Sequence, residues 1–381
     1  MKVLHIAPSF YPAIGGIENV VGAMVRALRQ RSIQADVLHA APGLRMAREE
    51  LEGSTVWRVP LFPHRLLGLL PGLRTLLEPY DILHLHDPQM MALGFNIFLQ
   101  GKGKKKVLST HGGYFHTHRL GLAKAAHWKL LAPAILRRYD AVLASSQSDW
   151  ERFKTIAPAT RLVANGVQVE KFLAIERPAP PQPLRWLYWG RLSRNKRIDR
   201  LIDTVAQARG IGLTIDLLIA GSDFDGLSAS LQAQIGRLQL DAQVRLAGPL
   251  GEAELLRQIA SRSVFISASE HEGFGLSIIE AMAAGMIVVC RNMAPLNGFV
   301  TPGRTGCLLR FDGRAGDLDL LRRLCKSAPA GLLAMQQEAR RAAYAYRWEA
   351  SIVPLIAAYE ELRHENGGPS GQQPSPGYLA G

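Results

Sequence analysis

Residues 174–185 read AIERPAPPQPLR. Pro178, Pro180, Pro181 and Pro183 deny this stretch both helix and ladder, because proline has no backbone N–H and clashes with the preceding helical turn. On either side the pattern is different. Upstream, KVLHIA, ADVLHA, DILHLH, KVLSTH, AVLAS and RLVAN are short runs rich in Val, Ile and Leu, separated by stretches of helical spacing such as residues 18–31 and 120–139. Downstream the alternation restarts with WLYWG, LTIDLLIAG, QVRLAG, SVFISA, MIVVCR and TGCLLR. Strand alternating with helix implies a parallel sheet covered on both faces, and a proline-rich break between two such series predicts an interdomain linker.

The chain has 381 residues, too many for one ordinary domain and enough for two of roughly 150–200 residues. The expected organisation is a Rossmann-like doubly wound α/β domain over 1–173, the linker 174–185 and a second such domain over 186–347. A helix over 348–364 is expected to pack back toward the first domain. The tail 365–381, ENGGPSGQQPSPGYLAG, has too little apolar content to order itself. Two doubly wound domains turn the carboxyl ends of their strands toward each other, so ligands are expected in a central cleft.

Composition narrows the chemistry. Apolar residues make up 48% and charged residues 20%, as in a globular protein, and the formal charge of +13 calls for an anionic partner. Cys290, Cys307 and Cys325 have no CxxC spacing, which speaks against a disulfide framework or a zinc ribbon and for a reducing cytoplasm. The opening MKVLHIAPSF reaches a polar, proline-containing turn too soon for a signal peptide, and no apolar run approaches a membrane span. There is no aromatic-interleaved basic motif or arginine-rich arm, so nucleic acid is not the expected partner.

Three motifs fall at expected strand ends. In SFYPAIGGIENVV, Gly15 and Gly16 follow the first strand and open a helix, where backbone N–H groups approach a phosphate; a plain turn reads equally well. No GxGxxG is present, which lowers an oxidoreductase reading. In YWGRLSRNKR, Arg191 and Lys196 follow the first strand of the second domain, a planar fork and a mobile point charge suited to gripping a diphosphate; the alternative is a solvated basic loop. In EHEGFGLSIIEA, Glu272 stands before a glycine pair and Glu280 eight positions later; on a common helix they lie near 80° apart, at about 100° per residue. Glu280 is surrounded by so apolar a sequence that its carboxylate needs a partner.

With these residues in place the chain resembles the retaining GT-B glycosyltransferases of family 4, whose hallmark is two glutamates separated by seven residues, here Glu272 and Glu280. The resemblance runs from residue 1 to about 364 through IGGIE, HLHD, STHGGYFHT, NGVQVEKF, GRLSRNK and HEGFGLSIIEAMAAG. Within the family it is nearest to the GDP-mannose:cellobiosyl-diphosphopolyprenol α-1,3-mannosyltransferases of xanthan- and acetan-type exopolysaccharide assembly. It departs from the family in Glu270 before His271 and in Arg197 after Lys196, where glycine is usual.

The resemblance implies that Gly15 and Gly16 face the donor phosphate and the acceptor, and that His111 contacts the transferred sugar. It implies that Arg191 and Lys196 hold the diphosphate, Glu272 the sugar hydroxyls and Glu280 the ribose. Asn165, Gly190 and the backbone of Phe274, Gly275 and Leu276 complete the nucleotide-sugar site. The implied function is transfer of mannose from GDP-mannose, or of another hexose from a UDP donor, to a polyprenyl-diphosphate-linked oligosaccharide, without a metal cofactor.

Two features invite other chemistry. His84, His86 and Asp87, with His111, His116 and His118, suggest a metal-dependent hydrolase, and Asp223-Phe224-Asp225 a metal-binding pair, though a turn and helix cap suits it better. Between Pro88 and Tyr139 there is no acid, while Lys102, Lys104, Lys105, Lys106, Arg119, Lys124, Lys129, Arg137 and Arg138 occur, and HRLLGLLPGLRTLL (64–77) is leucine-rich. Basic and apolar surface together predict peripheral attachment to an anionic membrane, on the cytoplasmic face of the inner membrane, unless the leucines merely cover the sheet.

Overall fold

The structure, a computed structural model, describes residues 1–13, 15–41, 45–60, 70, 72–112, 128–177, 180 and 183–364. Its strands are β1 (Lys2–Ala7), β2 (Gln34–Ala40), β3 (Ala47–Leu51), β4 (Ser54–Val59), β5 (Ile82–His86), β6 (Lys105–Ser109), β7 (Ala141–Ala144) and β8 (Thr160–Leu162) in one sheet. A second sheet holds β9 (Arg185–Trp189), β10 (Asp216–Ala220), β11 (Val244–Gly248), β12 (Val264–Ser267), β13 (Ile287–Arg291) and β14 (Gly306–Leu309). Strand order is β3-β4-β2-β1-β5-β6-β7-β8 in the first and β11-β10-β9-β12-β13-β14 in the second. Val3, Leu4, Ile6, Ile82, Leu83, Val107 and Leu108 are 0% exposed, so the central strands are buried on both faces, and that is why they read as mainly apolar runs, interrupted in β1 and β5 by the buried His5, His84 and His86.

The hairpin of β3 and β4 had no such signature. β3 is AREEL, an exposed edge strand and the one antiparallel member of its sheet, with Arg48 across from Trp57 and Glu49 across from Val56. Its charges do not alternate with buried apolar side chains, and charge on an edge is a defence against unwanted pairing.

The chain joins the second core shortly before the expected division at residue 173. Val167, Val169 and Phe172 are buried with Phe265, Ile278 and Met282, so the chain has entered the core of the second sheet before the proline-rich stretch begins. Arg177 fastens it there, donating to the carbonyls of Ala284 at 2.7 Å and of Arg262 and Ile259 at 2.5 Å. The return crossing lies alongside: Val167 N–H donates to the Tyr346 carbonyl at 2.7 Å, and Val167 pairs with Arg347 in a parallel bridge. Helix Trp348–His364 then lays Trp348, Ile352, Leu355, Tyr359 and Leu362 into the first core, against helix Gly16–Gln30. Of the helix read over 120–139, residues 128–130 and Ala132–Leu136 are helical; residues 120–127, like the tail 365–381, lie outside the described residues.

Candidate active site

β1, β5 and β6 are neighbours, so the segments following them form one wall of the cleft, and those following β9 and β12 form the other. The walls meet on glycines. A Cβ on Gly112 would lie 2.0 Å from Gly273 Cα, and one on Gly273 would lie 2.4 Å from the His111 carbonyl oxygen, so any side chain would separate the two halves. Gly16 opens helix Gly16–Gln30, and a Cβ there would meet Leu276, the first residue of helix Leu276–Ala283, at 4.0 Å. Two helix starts therefore converge across the cleft, each with free N–H groups and the positive end of its dipole. Gly275 caps the second with φ +95°, a left-handed conformation suited to glycine.

The second wall is charged. The loop after β9 is laced to the loop after β12: Glu270 N–H donates to the Asn195 carbonyl at 2.8 Å, and Asn195 Nδ2 to the His271 carbonyl at 3.3 Å. Lys196 Nζ stands 2.5 Å from Glu272 Oε1, with both side chains mostly covered. The two departures from the family pattern prove to be partners, because Arg197 pairs with Glu270 while also holding Asp199 at 2.8 Å. Arg197 adopts φ +50°, a left-handed conformation that glycine would take up without strain.

Arg191 is exposed, its guanidinium 4.8 Å from the centre of the Phe224 ring. Gly190, with φ +148°, lies so near Gly221 that a Cβ on the latter would sit 1.8 Å from the Gly190 oxygen.

Glu272 is not on a common helix with Glu280, since that helix begins at Leu276; the angle inferred from their spacing does not apply. Glu280 instead accepts from Trp189 Nε1 at 3.3 Å. Burial pushes its carboxyl above the usual range, with the Trp189 hydrogen bond opposing.

Around His111 the first wall is built of neutral groups. His111 has φ +45° and contacts Asn165 Nδ2 through Nδ1 at 3.4 Å, while its Nε2 lies 2.8 Å from His86 Nδ1. Burial lowers its pKa to about 4. The loop carrying it is held by Asp149, which accepts from the Thr110 hydroxyl at 2.6 Å, Gly112 N–H at 2.8 Å and the Ser145 hydroxyl at 3.3 Å. Sequence reasoning missed Asp149. The only signal is Ser146-Gln147-Ser148-Asp149, which reads as a helix cap, and Ser146 does cap the helix Gln147–Phe153, while the Asp149 carboxylate turns away to the neighbouring loop.

The histidine cluster is assembled differently from the expectation. Nitrogens of His5, His84 and His86 lie within 4.8 Å of one another, without Asp87. Asp87 accepts from the Gln89 N–H at 2.8 Å, and burial raises its carboxyl to about 6. Both His84 nitrogens are already engaged, with Tyr359 Oη at 2.5 Å and Ser109 Oγ at 2.8 Å, so metal ligation would have to break bonds that seat the closing helix. His116 and His118 lie outside the described residues. Asp223 caps a helix, accepting from the N–H groups of Leu227 at 2.7 Å and Ser228 at 2.9 Å, and Asp225 accepts from Arg194 N–H at 2.8 Å.

The basic stretch is sorted by its contacts. Lys106 is buried, donating to the Lys104 carbonyl at 2.9 Å, and Lys105 lies 3.4 Å from Asp140, whereas Lys129 and Arg138 are exposed. Leu70, Leu73 and Leu77 are buried under the first sheet; residues 61–69 and 71 lie outside the described residues. Among the described residues of this stretch the large exposed apolar side chains are Phe95, Leu99, Leu130, Leu131 and Ile135, and others such as Met46, Phe224 and Val353 are exposed elsewhere. Those of this stretch lie on the β5–β6 and β6–β7 connections, which cover the same face of the sheet because their strands follow in order. Among the described residues no helix is long and apolar enough to cross a membrane.

Comparison with known proteins adds names to this geometry. The sequence model of Glycosyltransferase Family 4 matches residues 14–171 and that of glycosyl transferases group 1 matches residues 171–329. The chain is 28% identical to a GDP-mannose:cellobiosyl-diphosphopolyprenol alpha-mannosyltransferase of Xanthomonas campestris, over 94% of this chain and 96% of that one. It is 28% identical to a protein of the same name from Komagataeibacter xylinus, over 95% and 93%. Sucrose-phosphate synthase from Thermosynechococcus elongatus superposes with a TM-score of 0.73 at 20% identity, covering 96% of this chain and all of the other. Anabaena Alr3699/HepE in complex with UDP and glucose superposes with a TM-score of 0.71 at 19% identity, over 95% and 99%. These structural likenesses show the fold, two Rossmann-like domains in the GT-B arrangement.

Proposed function

The chain belongs to the family 4 glycosyltransferases, and on that premise we propose that it is a retaining mannosyltransferase. It takes mannose from GDP-mannose and passes it to an oligosaccharide on polyprenyl diphosphate, in exopolysaccharide synthesis. The observation that carries the reading is the convergence of two helix starts beside Lys196 and Glu272, opposite His111. Donor and acceptor follow the names of the Xanthomonas and Komagataeibacter relatives, which span nearly the whole chain.

In this reading the diphosphate lies between the helix starts, held by Arg191, Lys196 and the N–H groups of Gly16, Gly275 and Leu276, with Gly15, Gly190 and Phe274 shaping the bed. Lys196 gives up Glu272 for phosphate, and Glu272, released, accepts from sugar hydroxyls while Glu280 accepts from the ribose. The acceptor hydroxyl attacks the anomeric carbon on the face the diphosphate leaves, the new C–O bond forming as the old one breaks. Its proton goes to the departing phosphate oxygen. Cations and oriented N–H groups stabilise the leaving charge, so neither a carboxylate nucleophile nor a metal is needed. His111 and Asn165 stand over the sugar.

A lipid-linked acceptor requires a membrane surface, and Phe95, Leu99, Leu130, Leu131 and Ile135 beside Lys129 and Arg138 support one on the first domain. The protein is expected at the cytoplasmic face of the inner membrane.

Purified protein given GDP-mannose, UDP-glucose or UDP-galactose with lipid-linked cellobiose should release GDP and extend the lipid with the first donor alone, and do so in EDTA. Turnover of a UDP-hexose in preference to GDP-mannose would overturn the donor assignment. Loss of activity on chelation, restored by manganese, would overturn the metal-free mechanism.

A further inference from the structure

A line of imidazoles runs from the core to the cleft. His5 on β1 is in register with His84 on β5, and His86 follows on the same face of that strand. His5 Nδ1 lies 2.9 Å from His86 Nε2, and His86 Nδ1 lies 2.8 Å from His111 Nε2. His5, His84 and His86 are 0% exposed. Burial keeps all of these rings neutral, His5 down to about 3, so each ring of the line carries a single N–H.

A row of neutral imidazoles has two consistent directions, because every link needs one N–H and one lone pair. If the protons point inward, His111 donates to His86, His86 to His5, and the last N–H, on His5 Nε2, is left in the core. That nitrogen is buried and has no partner. If they point outward, His5 Nε2 is the bare lone pair and the terminal N–H is His111 Nδ1, at the cleft. An orphaned buried N–H is the rarer and costlier defect. Asn165 Nδ2 faces His111 Nδ1, which favours the inward direction, but at 3.4 Å it is the longest contact of the line, and its amide presents oxygen equally well when turned over.

We propose that the line His5–His86–His111 holds His111 with its proton on Nδ1, making His5 and His86 positioning residues for a hydrogen-bond donor aimed at the transferred sugar. The role at the sugar rests on the function proposed above; the tautomer does not. His84 stands outside the line, its nitrogens spent on Tyr359 and Ser109.

The test is long-range proton–nitrogen correlation on the full chain labelled at histidine, at pH 7. His5, His86 and His111 should each show a neutral ring protonated at Nδ1, their signals assigned by single substitution. A His111 ring protonated at Nε2, or charged, overturns the proposal. His86→Leu should release His111 to the Nε2 tautomer and lower kcat about tenfold, the worth of one hydrogen bond. His5→Leu should leave the tautomer in place, since His86 Nε2 then becomes the bare lone pair; a switch in that variant also overturns it. Should His86→Leu fail to fold, His86→Gln, which can accept from His5 and donate to His111, must keep the Nδ1 proton. Normal transfer by His111→Ala, with the Nδ1 proton observed in the unaltered protein, would instead remove His111 from the sugar site and leave the tautomer standing.

Discussion

The two walls of the cleft are built from opposite materials. The wall on the second sheet is ionic: Lys196 with Glu272, Arg197 with Glu270 and Asp199, and an exposed Arg191. Among the described residues the wall on the first carries no ion pair around His111: buried imidazoles, a threonine and glycines, with its carboxylates tied to neutral donors, Asp149 in its own loop, Asp87 at the Gln89 N–H and Glu18 at the Ser9 hydroxyl. The Arg197 pairs are partly exposed and individually weak, and the mostly covered Lys196 can leave Glu272 for a diphosphate because that offers it more charge, so the ionic wall can trade partners when such an anion arrives. Buried neutral hydrogen bonds have no solvent to fall back on, so the neutral wall keeps its geometry whatever enters. In the function proposed above, one wall answers the charge of the ligand and the other fixes its orientation.

The hardest blow to this contrast should come from Lys196→Ala, which removes the exchangeable cation. Transfer should fall about 100-fold or more, beyond any loss of stability from leaving Glu272 covered without its cation, with the fold retained by circular dichroism. Near-normal turnover would take Lys196 out of the site. Gly112→Ala strikes the seam between the walls, at a φ of +74° and with 2.0 Å of room before Gly273 Cα. It should reduce transfer at least about tenfold by holding the halves apart, a displacement readable by small-angle scattering; wild-type activity and dimensions would show that the seam yields.

Asp149→Ala leaves the Thr110 hydroxyl and Gly112 N–H without their acceptor and should cost about 2–4 kcal/mol in a denaturant titration. A cost under about 0.5 kcal/mol would mean the neutral wall is not rigid. Acid probes the same wall as a whole. His5 and His111, ordinarily near 6.5, are held to about 3 and about 4 in the fold, so below pH 6.5 the unfolded chain binds protons that the folded chain refuses. Stability should be unaffected by these groups above pH 6.5 and fall as the pH drops from there toward 4, and His5→Leu should flatten that fall. The smallest effect belongs to the ionic wall: Arg197→Gly trades two partly exposed ion pairs for relief of a left-handed φ, and stability should change by no more than about 1 kcal/mol.

Parallel strands such as β1, β5 and β13 were legible because burial on both faces fills them mainly with Val, Ile and Leu in short runs set between turns. β3 was not, since an edge strand of charges carries no apolar period. Glu272, Lys196 and Arg191 could be picked out because charge beside glycine at a strand end is unusual. His5 could not, since a lone histidine within KVLHIA gives no hint of its neighbours. The sequence by itself determined two sheets, a cleft between them and the chemical character of the residues at its strand ends, because local periodicity and turn chemistry are written residue by residue. Only the tertiary structure decided that β1 lies beside β5 with His5 level with His84, that Asp149 reaches back to Gly112, and that Gly112 meets Gly273. Those are matters of strand order and register between segments far apart in the chain, and no spacing along one segment encodes which other segment will lie against it.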